Sequence, residues 1–346
     1  MSQLLERLKT ALADRYLIDS QIGSGGMAIV YGATDLKHDR AVALKVLRPE
    51  ISSSVGSDRF LREIQIAAKL THPHILPLYD SGEAAGQLYY VMPFIEGETL
   101  RDRLDRTGPL EIKDAMQVVR EAGSALGHAH SHGIVHRDIK PGNIMLSGGH
   151  AVVADFGIAS AVTEAGGESL TRTGVSVGTP DYMSPEQASG NQPVDARSDE
   201  YSLACVLYEM LVGQPPFTGP TAMAVMARHS LDPVPSVRTL RSTIPTGLEE
   251  SLNRGLEKMP VDRFPTIEQF VDAVTGEQAG AGGSARRDAG SRPRGYFRKL
   301  AWIGLAVAAL TAAVLIGRDF DFGAMFAPDE QELVAVLDFD AIVPDS

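Results

Sequence analysis

With 346 residues, 44% of them apolar, the chain carries enough hydrophobic side chains for a large core, which excludes disorder throughout, and its length fits about two domains. A formal net charge of -12 argues against nucleic acid as a partner, because phosphate-backbone affinity needs a basic field. The one cysteine, Cys205, permits no intrachain disulfide and reads as a buried thiol in a reducing compartment.

No basic start followed by a long apolar run marks Met1 to Thr10, so no secretory signal is visible and residues 1–15 read as an N-terminal extension. Tyr16 to Gly23 alternates like a strand, and Gly23-Ser24-Gly25-Gly26-Met27-Ala28 then turns into a second strand, Ile29 to Thr34. Glycine lets backbone amides approach an anion with no side chain in the way, so this hairpin suits a phosphate, although an ordinary glycine-rich hairpin has the same signature. Ala41 to Leu47 alternates as a third strand, with Ala43 and Lys45 on one face and Val42, Leu44 and Val46 on the other. A lysine in that setting needs an anion. Asp58 to Leu70 has helical periodicity and puts Glu63 on the apolar stripe of Phe60, Ile64 and Ala67, which makes Glu63 the expected partner of Lys45. Strands at Ile75 to Tyr79 and Leu88 to Phe94 complete an expected five-stranded lobe. His72 and His74 flank Pro73 with no cysteine or acid at ligand spacing, so they read as turn residues and not as a metal site.

From Thr99 the pattern is helical, with segments at Thr99 to Asp105 and Glu111 to His132. His128, His130 and His132, two apart, scatter around such a helix and read as packing and surface residues. The stretch His136-Arg137-Asp138-Ile139-Lys140-Pro141-Gly142-Asn143 is a polar loop between apolar Gly133-Ile134-Val135 and Ile144-Met145-Leu146, and it puts an acid, a base and an amide close together. Strand-like Ala151 to Ala154 leads into Asp155-Phe156-Gly157; a hairpin return would set Asp155 beside the loop, where Asn143 and Asp155 could share a magnesium ion. Gly157 to Glu186 has the Gly, Ser and Thr content of a loop. Asp199 to Leu211 is apolar almost all round, the mark of a buried central helix, and pieces at Thr221 to His229, Thr246 to Lys258 and Thr266 to Val274 close a helical lobe.

The order of these motifs resembles the eukaryotic-like (bacterial) serine/threonine protein kinases of the membrane-anchored type, over about residues 16–274. The resemblance implies an α+β bilobal fold: a small lobe, residues 16–94, of five antiparallel strands and one helix, and a large helical lobe, residues 95–274. It implies ATP and Mg2+ as cofactors and protein substrates, with transfer to serine and threonine hydroxyls and autophosphorylation. Its nucleotide contacts fall on Ile22, Gly23, Ser24, Gly25, Gly26, Met27, Ala28, Ile29, Val30, Ala43, Lys45, Met92, Pro93, Ile95 and Met145. Val30, Ala43 and Met145 would sandwich the adenine, and the Pro93 carbonyl and Ile95 amide would meet its edge. By the same resemblance Asp138 accepts the acceptor's proton, Lys140 contacts the transferring phosphate, Glu63 fixes Lys45, and Asn143 and Asp155 hold magnesium. Thr171 and Thr173 sit where related kinases autophosphorylate, ahead of Ser169 and Ser176, with Arg137 as the cation for such a phosphate; Arg263 is the expected ion partner of Glu186. Two departures stand out: Ala28 replaces the family's third glycine, and Pro93 stands where glutamate is frequent. A catalytically inactive membrane-tethered scaffold and a small-molecule kinase stay open as other readings.

Composition shifts at Thr275, where Gly, Ala, Ser and Arg take over, so residues 275–299 read as a flexible basic linker. Leu300 to Ile316 carries no charge and, at 1.5 Å per residue, covers about 25 Å, enough for a single membrane helix over residues 300–317. Arg286, Arg287, Arg292, Arg294, Arg298 and Lys299 precede it while only Arg318 follows, which places the kinase domain in the cytoplasm and the acidic tail, residues 318–346, outside the cell (inner) membrane. Leu333 to Phe339 starts like the first strand of a domain left incomplete, so the chain reads as a fragment or as needing a partner. Gly304 and Ala308, four apart, would let two spans pack; a homodimer through the span or the kinase domain is the assembly expected.

Overall fold

The computed structural model describes residues 2–54, 57–156, 180–190 and 193–276. The linker, membrane span and tail expected from the sequence, and Thr171 and Thr173, lie outside these residues. No helix among the described residues is long and apolar enough to cross a membrane.

The small lobe is a five-stranded antiparallel sheet in the order β1-β2-β3-β5-β4, made of β1 (Tyr16–Ser24), β2 (Ala28–Asp35), β3 (Arg40–Leu47), β4 (Asp80–Ala84) and β5 (Gln87–Pro93). Strand alternation sends Val42, Leu44 and Val46 to one face, where helix α1 (Ser2–Ala11) buries Leu8 against them. The N-terminal extension is thus in large part a helix that packs on one face of the sheet. The other face carries Ala43, Leu47, Tyr90 and Met92 and is covered by α3 (Ser57–Ala67), which buries Phe60 and Ile64; the short α2 (Pro49–Ser54) adds Ile51. Each such fully buried side chain contributes on the order of 1.5–3 kcal/mol.

The fourth strand is not Ile75 to Tyr79. Pro77 has no amide to give a ladder and splits that segment, so the ladder to β5 runs through Asp80–Ala84 instead. Ile75 makes an isolated parallel bridge to Val153, the Leu76 amide donates to the Val153 carbonyl at 2.8 Å, and the Val153 amide donates to His74 at 2.9 Å. This segment therefore bolts the small lobe onto the large one.

The large lobe starts at the two-residue β6 (Glu98–Thr99), which pairs with β7 (Ile144–Ser147), itself paired with β8 (His150–Val153). Gly97 enters this sheet so closely that a Cβ there would lie 2.1 Å from the Leu146 carbonyl oxygen, a place only glycine can fill. Helix α4 (Leu100–Thr107) opens with a capping box between Thr99 and Asp102. Then come α5 (Ile112–Ser131), α6 (Pro185–Ser189), α7 (Ala196–Val212), α8 (Ala222–Leu231), α9 (Val237–Leu240), α10 (Thr246–Gly255) and α11 (Ile267–Thr275). Helix α7 is buried without a break from Ser198 to Leu211, as its all-round apolar sequence requires, and α4, α5, α10 and α11 pack into the same core. Asp195 caps its start and Gly213, at φ 87°, ends it in the left-handed conformation that glycine tolerates.

Candidate active site

In β1 and β2, Gly23 pairs with Val30 and Ser24 with Ile29, so Gly25, Gly26 and Met27 form the tip of the hairpin, closed by a hydrogen bond from the Gly25 amide to the Ala28 carbonyl at 2.9 Å. Ile22 is exposed beside it. Arg48, just past β3, was not anticipated. Its Nε donates to the Gly25 carbonyl at 2.9 Å, its Nη2 to Ser24 Oγ at 3.1 Å, and its backbone amide to the Met27 carbonyl at 2.9 Å. One arginine thereby fixes the hairpin tip to the sheet.

Register then aligns the middle of the lobe. Ala43 faces Met92 across β3 and β5, Val42 faces Pro93, and Lys45 faces Tyr90. Met92 and Ala43 share one apolar cluster, with Val30 and Ile95 packed against it. Met145 faces Val152 in the β7–β8 hairpin.

Lys45 is paired with Asp155, not with Glu63. Its ammonium contacts Asp155 Oδ2, while the Tyr90 hydroxyl donates to Asp155 Oδ1 at 2.7 Å. Two carboxylates compete for one cation, and the more deeply enclosed one has more to gain from it. Glu63, in the middle of α3, is only half-buried, so it has less to gain from the cation and yields the lysine to Asp155. Burial pushes the Asp155 carboxyl up, but the Lys45 charge and the hydrogen bonds from Lys45 and Tyr90 outweigh burial and hold it below the ordinary carboxylate range. The reverse holds at Tyr90, whose hydroxyl is pushed far up by burial and by that neighbouring carboxylate. The left-handed φ of 66° at Asp155 costs on the order of 1–3 kcal/mol, which these bonds offset.

The loop between α5 and β7 supplies the opposite wall. Lys140 Nζ donates to Asp138 Oδ2 at 2.7 Å, and Asn143 Nδ2 donates to the same oxygen at 3.1 Å and to the Asp138 carbonyl at 2.8 Å. Both bonds fall on Oδ2, so among the described residues Oδ1 of Asp138 is left to accept. The Ala154 amide donates to the Asn143 carbonyl at 2.9 Å, which brings Asp155 alongside the loop as the hairpin spacing predicts. Lys45, Asp138, Lys140, Asn143 and Asp155 thus converge, and Glu63 stands apart from their network.

What holds this loop is a set of residues that motif reading left without a role. Asp199, fully buried on α7, accepts from the backbone amides of His136 and Arg137 and from His130 Nε2, each at 2.8 Å. His130 therefore has a specific partner and is more than a packing residue. His136 Nδ1 accepts from the Asp138 amide at 3.2 Å, so its proton sits on Nε2 and is donated to the Ala154 carbonyl at 2.8 Å. This buried imidazole ties the loop to the residue before Asp155. Arg137 is held at φ 67° by its amide bond to Asp199 and by Gln187 Nε2, which donates to its carbonyl at 2.8 Å. The signal for Asp199 is its place, as the first of three acids, among the apolar residues of α7, where a carboxylate is costly to bury without partners.

Farther along, Glu186 meets Arg263 in a two-pronged pair, Oε1 to Nη1 at 2.7 Å and Oε2 to Nη2 at 2.8 Å, with both side chains buried. Ser198 Oγ donates to the same Oε1 at 2.6 Å. A cavity of about 310 Å³ opens beside Lys140, lined by Arg101, Pro141, Gly142, Asp181, Tyr182, Glu209 and Pro215.

The protein kinase domain family matches residues 16–272. The serine/threonine-protein kinase PknB of Mycolicibacterium smegmatis is 46% identical over 266 residues, 75% of this chain and 42% of that protein. A probable PknB of Lactococcus lactis is 40% identical over 76% of this chain and 42% of its own length, and PknD of Mycobacterium tuberculosis is 42% identical over 70% and 36%. The chain spans less than half the length of these relatives. Among solved structures, Rad53 residues 1–466 in complex with AMP-PNP superposes with a TM-score of 0.64 at 25% identity, covering 79% of this chain and 68% of that one. By fold, by motif order and by kinship, the chain belongs to the protein kinase domain family.

Proposed function

We propose that the chain is a serine/threonine protein kinase that transfers the terminal phosphoryl group of ATP to protein hydroxyls, its own among them. The observation that carries this reading is the convergence of Lys45 and Asp155 on one side with Asp138, Lys140 and Asn143 on the other, joined through the Ala154–Asn143 hydrogen bond. A scaffold has no need of the whole set. The nucleotide neighbour AMP-PNP in the Rad53 complex and the serine/threonine kinase relatives support ATP as the donor and protein as the acceptor.

In this reading the hairpin from Ile22 through Val30 covers the phosphates with its backbone amides, its tip stiffened by Arg48. Val30, Ala43, Met92 and Met145 form the apolar walls for the adenine, with the Pro93 carbonyl and the Ile95 amide at its edge. Pro93 contributes only a carbonyl, so its missing N–H costs nothing there. Lys45 binds phosphate. Asp138 orients the acceptor hydroxyl and takes its proton on Oδ1, while Lys140 stays beside the transferring group. Asp155 and Asn143 fit magnesium: both offer hard oxygen donors, and the Asn143 amide nitrogen is committed to Asp138, which leaves its Oδ1 for a cation. When bound, magnesium supplies positive charge that offsets the charge building up on the phosphoryl oxygens. Glu63 would serve as the alternative partner of Lys45 once Asp155 is otherwise engaged, and Thr171 and Thr173 remain the leading self-phosphorylation sites.

The uncharged run from Leu300 to Ile316, basic before and acidic after, supports a single membrane span with the kinase domain in the cytoplasm, and a homodimer through the span or the kinase domain. Incubating the purified chain with γ-labelled ATP and magnesium tests the central claim: label on serine or threonine supports it. An Asp138→Asn chain that labels as well as the original would refute the assigned base.

A further inference from the structure

Nine histidines occur in the chain, and the fold gathers five of them from three separate stretches into one strip. The His150 ring lies 6.1 Å from that of His74, His74 lies 5.7 Å from His72, His72 stacks on His128 at 5.2 Å, and His128 lies 4.6 Å from His132. The strip follows the seam where the segment after α3 docks on α5 and β8, beside the Leu76–Val153 and Val153–His74 hydrogen bonds.

Hydrogen bonds fix the proton positions. His72 Nδ1 accepts from the His74 amide at 3.2 Å, and its Nε2 meets Ser124 Oγ at 3.2 Å, so the neutral ring carries its proton on Nε2. A second proton must go onto Nδ1, against that amide N–H. His74 Nδ1 donates to the Ala151 carbonyl at 2.9 Å and His132 Nδ1 to the His128 carbonyl at 2.8 Å. His150 Nδ1 donates to Glu121 Oε1 at 2.8 Å, and the Ala151 amide takes the other Glu121 oxygen at 2.6 Å. Glu121 is the carboxylate of the strip: it is hydrogen-bonded at the His150 end, and its charge also reaches His74. The groups acting on His72 are His128 from α5 and His74 from its own segment, both of the same sign when charged; burial and these two neighbours hold its pKa below the usual histidine value.

We propose that the histidine strip is a proton-sensitive latch between the lobes: the His128 and His74 rings flank His72, so protons added to the strip set like charges side by side and loosen the docking of residues 70–79 on α5 and β8. This does not depend on the chain being an active kinase. Because charging of His72 is disfavoured in the folded state, the stability that its neutral ring contributes is present above the ordinary histidine pKa of about 6.5 and is lost as pH falls through the lower, folded value.

The test is the thermal midpoint of the full chain in detergent at pH 7.5 and 5.5, for the parent, His128→Gln and the His72→Gln/His128→Gln double variant. Other titrating groups are common to all three and cancel in the comparison. The parent's midpoint should fall between the two pH values by at least about 2 °C more than that of either variant, whatever their absolute midpoints. Equal falls in all three would overturn the proposal. Amide hydrogen exchange of the parent supplies a check that needs no variant: protection lost at pH 5.5 in residues 74–79 beyond that lost in α7 supports the latch, and equal losses in both overturn it.

Discussion

Replacing Arg263 by methionine puts a number on the Glu186 pair. The guanidinium donates to both Glu186 oxygens, to the Glu257 carbonyl at 2.8 Å and to the Arg197 carbonyl at 2.9 Å, and it lies 4.7 Å from the Tyr201 ring centre. Methionine fills much of the volume but leaves a buried carboxylate with the Ser198 hydroxyl as its remaining side-chain donor. Removing one partner of such a pair costs about 3–5 kcal/mol, and at about 2–4 °C per kcal/mol the midpoint should drop by roughly 10 °C. The pH dependence should also change sign. In the parent, burial raises the Glu186 carboxyl but the Arg263 bonds and charge outweigh it and hold it low, so its stabilising effect is present above the ordinary glutamate value and is lost in acid. In the variant only the Ser198 hydroxyl and a backbone hydrogen bond oppose burial, the largest influence on this carboxyl, so stability should improve as pH falls toward that ordinary value. Thermal and urea unfolding of the parent, Arg263→Met, Glu186→Gln and the double variant close a cycle, and the double variant should be less destabilised than the sum of the singles by more than about 1 kcal/mol. A loss below about 1 kcal/mol for Arg263→Met, or strict additivity, would refute the claim that the buried Glu186 carboxylate depends on Arg263.

Lys45→Met should abolish autophosphorylation and also lower the unfolding midpoint, since it strips the cation from Asp155; a stable but inactive variant would show that Asp155 does not depend on the ammonium for folding. Asp138→Asn should remove label incorporation with little change in midpoint, because the amide replaces a side chain that keeps access to water. Glu200 is buried, accepts one hydrogen bond from the Phe264 amide at 3.1 Å, and has its carboxyl pushed up to about 8 by burial. A raised acid stabilises below its unfolded value, and that effect is lost as pH climbs toward 8, so the parent should weaken between pH 5 and about 8. Glu200→Gln should flatten that slope in urea titrations, and an unchanged slope would reject the assignment.

The parts of the site legible in the sequence are those written in local pattern. Period two placed Ala43 and Lys45 on one face of β3, loop-and-hairpin spacing brought Asp155 to Asn143, and the unbroken apolar run marked α7 as central. Partner choice was not legible. Glu63 lies on the apolar stripe of α3, which suggested that it faces Lys45, but the period of a helix gives direction without depth. The outcome turned on which carboxylate is more enclosed, and Tyr90 on β5 and Asp155 just past β8 are distant in sequence. The same limit hid the histidine strip. Each pair or triplet, taken along the chain, had no ligand or partner at close spacing, and only the docking of residues 70–79 against α5 and β8 brings the rings together.

The active-site loop owes its shape less to its own residues than to α7. Asp199 takes two successive backbone amides and the His130 ring, and all three donors are fixed by a helix that is enclosed on every side. A polar loop on its own would fluctuate among many conformers at a cost of about 1–2 kcal/mol per residue to order. Here the left-handed turn at Arg137 and the orientation of Asp138 are tied to a helix that cannot shift without disturbing the core, so the geometry of the site inherits the rigidity of the large lobe. The same logic explains why a carboxylate is tolerated at the start of α7: its oxygens are occupied by donors the loop must present in any case, so the burial that would make Asp199 costly alone is what gives the site its precision.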